Sequence, residues 1–409
     1  MGVDAAVERV RTNLKESFTD WDVTASELKD NNQALKELAP AERNEAVSRL
    51  SDDELQHWAD ETKGLNSPLN ADDRRDLLNM LAQDLDPQQL ARAAKAFGTQ
   101  DMADAVSAHG SPQQKAAFIQ ALQSGATADL QIKPGLGVTT SSYGNDNAKA
   151  VAQVLASLKD SPKEFSQALN GLEQAGKLDD VMKTAAGQTT MTMTMGGSAY
   201  PSVSFDDKHL QDILAGVSKL PQDDLSTRTS AFKAAAPALA AMQGATGTLA
   251  DPAGYNAATA QRTADALGKV LTRDQATAAG LVNTPAKPAN ASMDQNVQDA
   301  QAHGFPQDLG WFYNQVRNKG PWDYKQQGAQ YQNFGNFNFG LTAAAMGIPE
   351  SVALRGAGWA QQRAGTSEPA NGNPWDLNDG PYGDDPADQT QIKAGYDYYN
   401  SGLWRIWND

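Results

Sequence analysis

Between Thr24 and Gln114 the chain carries a series of helix-start signals, and these restrict its fold more than any other feature. Thr24-Ala-Ser-Glu27 and Ser51-Asp-Asp-Glu54 are capping boxes, in which the first side chain and the last each satisfy a backbone N–H left free at the start of a helix. Asp86-Pro-Gln-Gln89 and Ser111-Pro-Gln-Gln114 place an N-cap residue before proline at the first helical position. Starts this closely spaced dictate short helices. Leu50, Leu55 and Trp58, then Leu77, Leu78, Leu81, Leu85 and Leu90, recur at near-helical spacing and give those helices an apolar face. Ala41–Leu50 is echoed by Ala71–Met80 and more weakly from Ser111, so stacked helical hairpins would bury these faces mutually. Residues 1–130 are therefore predicted to form a helical array.

The chain changes character twice more. Ile132–Gly144 is rich in glycine, serine and threonine and reads as a loop before a second helical region over 146–275. That region has a capping box at Ser161-Pro-Lys-Glu164 and an apolar face containing Val151, Val154, Leu155 and Leu158. Thr189–Met195 alternates Thr and Met with a strict period of two, readable as an internal hairpin, a mobile loop or a strand offered to a partner's edge. Asn283-Thr-Pro-Ala-Lys-Pro-Ala-Asn-Ala-Ser292 reads as a linker and sets a boundary at 280–293. Of the aromatic residues, 11 precede it and 18 follow. The fold class expected is a mainly α N-terminal array followed by a small α+β, or mostly α, C-terminal domain over 294–409.

Two scarcities exclude whole chemistries. Cysteine is absent, which removes disulfides, thiolate metal sites and cysteine nucleophiles. His57, His109, His209 and His303 are the only histidines, so a two-histidine ribonuclease centre is excluded from the C-terminal domain. Net charge is −16, and from residue 293 onward 7 Lys/Arg face 13 Asp/Glu. An acidic domain is poorly suited to neutralising phosphates. No apolar run approaches the roughly 18 residues of a membrane span. Charges in Met1–Val10 interrupt what a signal peptide would need, so export is expected to use a dedicated secretion machine.

Four blocks beyond the boundary set polar groups among aromatics and glycines: Gly320-Pro-Trp-Asp-Tyr-Lys325, Asn333-Phe-Gly-Asn-Phe-Asn-Phe-Gly340, Leu354-Arg-Gly-Ala-Gly-Trp359 and Pro381-Tyr-Gly-Asp-Asp-Pro-Ala-Asp-Gln389. In this order they resemble the bacterial polymorphic toxin type 44 domain over about residues 295–402. The resemblance implies an interbacterial toxin with a trafficking region, a C-terminal toxic enzyme and a cognate immunity protein; the family has been predicted to be a ribonuclease. The N-terminal helices resemble leaders of contact-dependent effectors, which would bind a secretion adaptor or chaperone.

The candidate catalytic residues are Asp323, Lys325, Arg355, Asp384 and Asp385. Asp323, between Trp322 and Tyr324, suits a general acid whose pKa is raised by aromatic packing, or else caps a turn. Asp384, Asp385 and Asp388 suit acid–base work, or Ca²⁺ or Mg²⁺, although Asp385-Pro-Ala-Asp388 also reads as a plain helix start. Asp376-Leu-Asn-Asp-Gly380 departs from the spacing of a calcium loop, and no resident metal or other cofactor is expected. Arg355, in an otherwise apolar helical stretch, is expected to pair with Asp323 or with Asp384 and Asp385. Trp322, Tyr324, Asn336, Asn338, Tyr382, Asp388 and Gln389 are the candidate substrate-binding residues, with Asn333–Gly340 read as extended so that its asparagines share one face. Three functions fit these residues. One is hydrolysis of peptidoglycan glycan in a competitor's periplasm by paired carboxylates, one is ribonuclease action through Asp323, Lys325 and Arg355, and one is a non-enzymatic binding module.

Overall fold

A computed structural model describes all residues except 16–22, 64–66, 196–197, 249–250, 252–253, 378–379 and 408–409. The chain divides into two compact units, Met1–Ala235 and Ala236–Asp409. The candidate linker 280–293 lies inside the second.

The first unit begins with α1 (Val3–Asn13), α2 (Ala25–Lys36), α3 (Pro40–Arg49), α4 (Asp52–Glu61), α5 (Ala71–Asp84), α6 (Pro87–Phe97), α7 (Thr99–His109) and α8 (Pro112–Leu122). Capping boxes form at Thr24, Ser51 and Ser111, and Asp86 caps α6 through the Gln89 N–H. From α3 on, each helix packs against the one two ahead, α3 on α5, α5 on α7, α4 on α6 and α6 on α8, which makes a two-layer array. Polar side chains tie its turns. Arg92 donates to Asp52 at 2.7 Å and to the Leu50 carbonyl at 2.6 Å, and Arg74 donates to Asp101 at 2.7 Å.

Next come β1 (Leu130–Pro134), β2 (Val138–Tyr143), α9 (Asp146–Ala156), α10 (Pro162–Gln174), α11 (Leu178–Ala185), β3 (Gln188–Met195), β4 (Ser198–Phe205) and α12 (Lys208–Ser218). The strands form one antiparallel sheet in the order β1-β2-β3-β4. Two expectations are corrected here. Ile132–Gly144 is a hairpin rather than a loop, because Val138–Ser142 finds a second partner in β3, with Thr140 opposite Met191. Ser161 makes no capping box; its N–H closes a turn onto the Leu158 carbonyl at 2.8 Å and its backbone leaves the capping geometry. The Thr/Met segment is β3, the internal partner of β2 and β4, while Gly196 and Gly197 lie outside the described residues.

α13 (Leu225–Ala245) contains the boundary between the units. The second unit continues with α14 (Tyr255–Val270), α15 (Arg273–Ala278), α16 (Met293–Gln301), α17 (Leu309–Val316), α18 (Gln332–Ala345), α19 (Glu350–Ala364) and α20 (Pro386–Asn400). Among its described residues there is no strand, so the mostly α form of the C-terminal domain is the one adopted. No helix among the described residues is long and apolar enough to cross a membrane.

The extended reading of Asn333–Gly340 is wrong, since the segment lies within helix α18. Its glycines serve contact rather than strand geometry. A Cβ on Gly340 would stand 2.0 Å from the Ile392 carbonyl oxygen, and one on Gly395 would stand 2.1 Å from that of Phe337. α18 and α20 therefore meet backbone to backbone, a contact only glycine permits. Phe334 and Phe337 are fully buried in the same core, with Phe337 5.5 Å from the Tyr398 ring.

Candidate active site

The site is built where the N-terminus of α20 meets α18 and α19. Asp385 caps α20 by accepting from the Ala387 N–H at 2.7 Å, with Pro386 at the first helical position. Asp388 and Gln389 follow on the first turn and Asp384 precedes the cap, so one helix start presents all three.

The loop before Asp384 is under constraint. Tyr382 has φ +62°, a left-handed conformation costly for an aromatic residue, and Gly383 follows at +87°. Three contacts hold the turn in place. Gly383 donates to the Asn371 carbonyl at 2.7 Å, and Ser367 Oγ donates to the Gly383 carbonyl at 2.6 Å. On α19, a Cβ at Gly358 would lie 1.9 Å from the Tyr382 carbonyl oxygen, so the loop rests directly on the helix backbone.

Arg355 completes this clamp. Its guanidinium donates to the carbonyls of Pro374 at 2.6 Å and Asp376 at 2.7 Å, and stands 4.2 Å from the centre of the Tyr382 ring. The expected pairing with Asp323 or with Asp384 and Asp385 is absent; backbone carbonyls and an aromatic face take the charge instead.

Asp384 is 2% exposed and accepts one side-chain bond, from Gln389 Nε2 at 3.2 Å. The same Gln389 nitrogen reaches the Leu354 carbonyl at 3.0 Å, which fixes the amide between α19 and the loop. Burial pushes the Asp384 carboxyl up to about 6. The neighbouring charge of Asp388 adds to this, while the Gln389 bond, the Asp385 N–H and the Lys325 charge oppose it.

Asp388 is buried but well supplied with donors. Gln332 Nε2 of α18 lies 3.3 Å from one oxygen and Gln361 Nε2 of α19 lies 3.1 Å from the other, with Lys325 Nζ at 3.7 Å. Lys325 reaches it over α18 because Gly335 leaves room; a Cβ there would be 2.8 Å from the lysine Cγ. Two carboxyl groups thus sit together, one desolvated with few partners and one ringed by donors.

The other candidates are placed differently. Asp323 accepts from the Lys319 N–H at 2.7 Å, which stabilises a turn where Lys319 itself has φ +65°. It has no bond to Asp384 or Asp388. Trp322 is buried in an aromatic cluster, 5.6 Å from Trp311 and edge-on to it. Tyr324 and Asn338 share a buried network, in which Asn296 Nδ2 donates to the tyrosine oxygen at 2.8 Å and to Asn338 Oδ1 at 2.9 Å. Burial raises the Tyr324 hydroxyl. Asn336 is buried with its Nδ2 unpaired, one helical turn from Gln332. Gln332, Gln361, Gly335 and Gly358 were not among the candidates. A helical reading of Asn333–Gly340 would have put Gln332 on the face that meets α20.

Among the described residues no three carboxylate or imidazole groups converge as a metal site, and Asn378 and Asp379 of the calcium-like stretch lie outside them. Chemically, the arrangement offers a proton donor near neutral pH beside a second carboxylate.

Residues 314–401 match the family model of bacterial toxin 44 (Ntox44). The match lies in the C-terminal region and contains every candidate site residue from Trp322 to Gln389. No curated protein is similar enough to the chain to count as a relative.

Proposed function

We propose that the bacterial toxin 44 domain at residues 314–401 is a hydrolase of peptidoglycan glycan. The observation that carries this reading is the pairing of Asp384, buried and held up to about 6, with Asp388, ringed by Lys325, Gln332 and Gln361. Two carboxyls whose surroundings separate their roles are what glycoside cleavage requires. Asp384 gives its proton to the oxygen of the leaving sugar as the bond to the anomeric carbon breaks. Asp388 carries the negative charge that stabilises the developing cation and either takes a proton from water or attacks the anomeric carbon. Gln389 and Lys325 then offset the charge left on Asp384.

The ribonuclease reading finds less support. Arg355 is engaged with two carbonyls and Tyr382, and Lys325 with Asp388, so neither is free to hold a phosphate. On the glycan reading the toxin acts in the target cell's periplasm. Its partners are a cognate immunity protein and, for the N-terminal helices, a secretion adaptor or chaperone.

The test is growth of a bacterium expressing the full chain with and without an added periplasmic signal, beside Asp384→Asn. Lysis with the signal alone, abolished by the substitution, supports the proposal. Arrest without the signal, with RNA loss before any change of cell shape, overturns it in favour of a ribonuclease.

A further inference from the structure

Trp375 leaves 77% of its surface open to solvent, and Leu377, two residues on, is fully exposed. Single exposed hydrophobic side chains are common, but this tryptophan stands on a rigid support. Asn373-Pro374-Trp375-Asp376 is a tight turn closed by the Asp376 N–H on the Asn373 carbonyl at 3.1 Å, with proline at its second position. The Asp376 carboxylate braces the same turn by accepting from the Asn373 N–H at 2.7 Å. From α19, Gln362 Nε2 donates to Asn373 Oδ1 at 3.0 Å. The Arg355 guanidinium grips the carbonyls on either side of Trp375, those of Pro374 and Asp376. The backbone at Trp375 is therefore fixed from several sides. Its indole, among the described residues, makes no hydrogen bond and no ring contact. A side chain held ready in this way, without a partner of its own, is pre-organised for contact with another molecule.

The turn is continuous with the candidate site. A Cβ on Gly383, the residue before Asp384, would lie 3.3 Å from Pro374 Cδ, so the loop that carries Asp384 packs on the residue before Trp375. Arg355 joins the two as well, since it also stacks on Tyr382. Charge decides what kind of molecule suits this place. Residues 365–384 contain Glu368, Asp376, Asp379 and Asp384 and no lysine or arginine. Such a segment repels phosphates. A pyranose ring needs no cation, because its C–H face packs on an indole and its hydroxyls donate to amide and carboxylate oxygens. Asn371 and Asp376 carry such oxygens within the same loop.

We infer that Trp375 is a sugar-stacking platform, holding one pyranose of a glycan chain while a neighbouring linkage meets Asp384 and Asp388. The assignment deepens the glycan reading of that pair and rests on it. Trp375 binds the chain and takes no part in the proton transfer from Asp384, so Trp375→Ala raises KM and leaves kcat little changed.

The test titrates the full-length protein carrying Asp384→Asn, which binds without turnover, with chitohexaose, a soluble chain of N-acetylglucosamine, by isothermal calorimetry. Adding Trp375→Ala is expected to weaken binding at least about tenfold, and Trp375→Phe, which keeps a ring, to recover most of it. Both variants should melt with the Asp384→Asn protein because the indole is exposed, so that lost binding is not lost fold. Equal affinity with and without the indole, no binding by any of the three, or Trp375-dependent binding of an oligouridylate in place of the sugar overturns the assignment. Release of saccharides from sacculi by the protein with Asp384 intact is scored separately. Release together with undiminished chitohexaose binding by Trp375→Ala removes the platform alone. Trp375-dependent binding without release keeps the platform and removes the hydrolase.

Discussion

Replacing Asp384 by Asn is predicted to abolish activity and to stabilise the fold, with a dependence on pH that identifies the cause. Asp384 is buried, and its carboxyl is raised from 3.8 to about 6. Below about pH 4 it is protonated in the folded and the unfolded chain alike. Between about 4 and 6 only the folded chain holds the proton, so stability falls as pH rises through this window. Above 6 both states are ionised and the fold bears the whole cost of a buried charge. At 1.36 kcal/mol per pKa unit the cost is about 3 kcal/mol at pH 8. Asparagine keeps the oxygen that accepts from Gln389 Nε2 and has no charge to bury. Asp384→Asn should therefore match the parent near pH 4 and exceed it by up to about 3 kcal/mol at pH 8. For a unit spanning residues 236–409 this corresponds to a rise in Tm of roughly 6–12 °C. Thermal melts of both proteins from pH 4 to pH 8 measure it. A gain equal at both ends, or none at pH 8, would refute the argument that burial raises this carboxyl.

Hydrolytic activity should fall as pH rises through about 6, because the proton Asp384 must give is then lost. Lys325→Met should move that limb upward, since the lysine charge opposes the rise; a pH–rate profile of each protein checks both statements. Gly358→Ala should displace the Tyr382–Asp384 loop, costing about 1–3 kcal/mol and most of the activity while leaving the helical circular dichroism of the unit intact.

How far the sequence revealed the molecule depended on whether a signal was local. Helix starts were legible because capping is settled within four residues, and the capping boxes at Thr24 and Ser51 and the N-caps at Asp86 and Ser111 form as read. At Ser161 the same pattern failed because the preceding turn holds the backbone elsewhere. The β1–β2 hairpin was hidden because its strands are short and polar and are held partly by β3, some fifty residues away. Asn333–Gly340 misled because alternating Phe and Asn imitates a strand, while Gly340 marks a close helix crossing with Gly395 that nothing nearby in sequence records. The Asp384–Gln389 cluster was visible as a block, and Asp385 as its cap. That Asp384 is the desolvated member follows only from the tertiary packing of α19 and α20. Gln332 and Gln361, the amides that hold Asp388, come from two other helices and leave no mark near it.

In the proposed chemistry Asp384 and Asp388 cleave a glycan. Its most direct test is incubation of purified full-length protein with isolated peptidoglycan sacculi, followed by mass analysis of the soluble fragments. Saccharide fragments with new reducing ends are expected from the parent and none from Asp384→Asn or Asp388→Asn. Intact sacculi, or equal release by the Asp384→Asn variant, would contradict it.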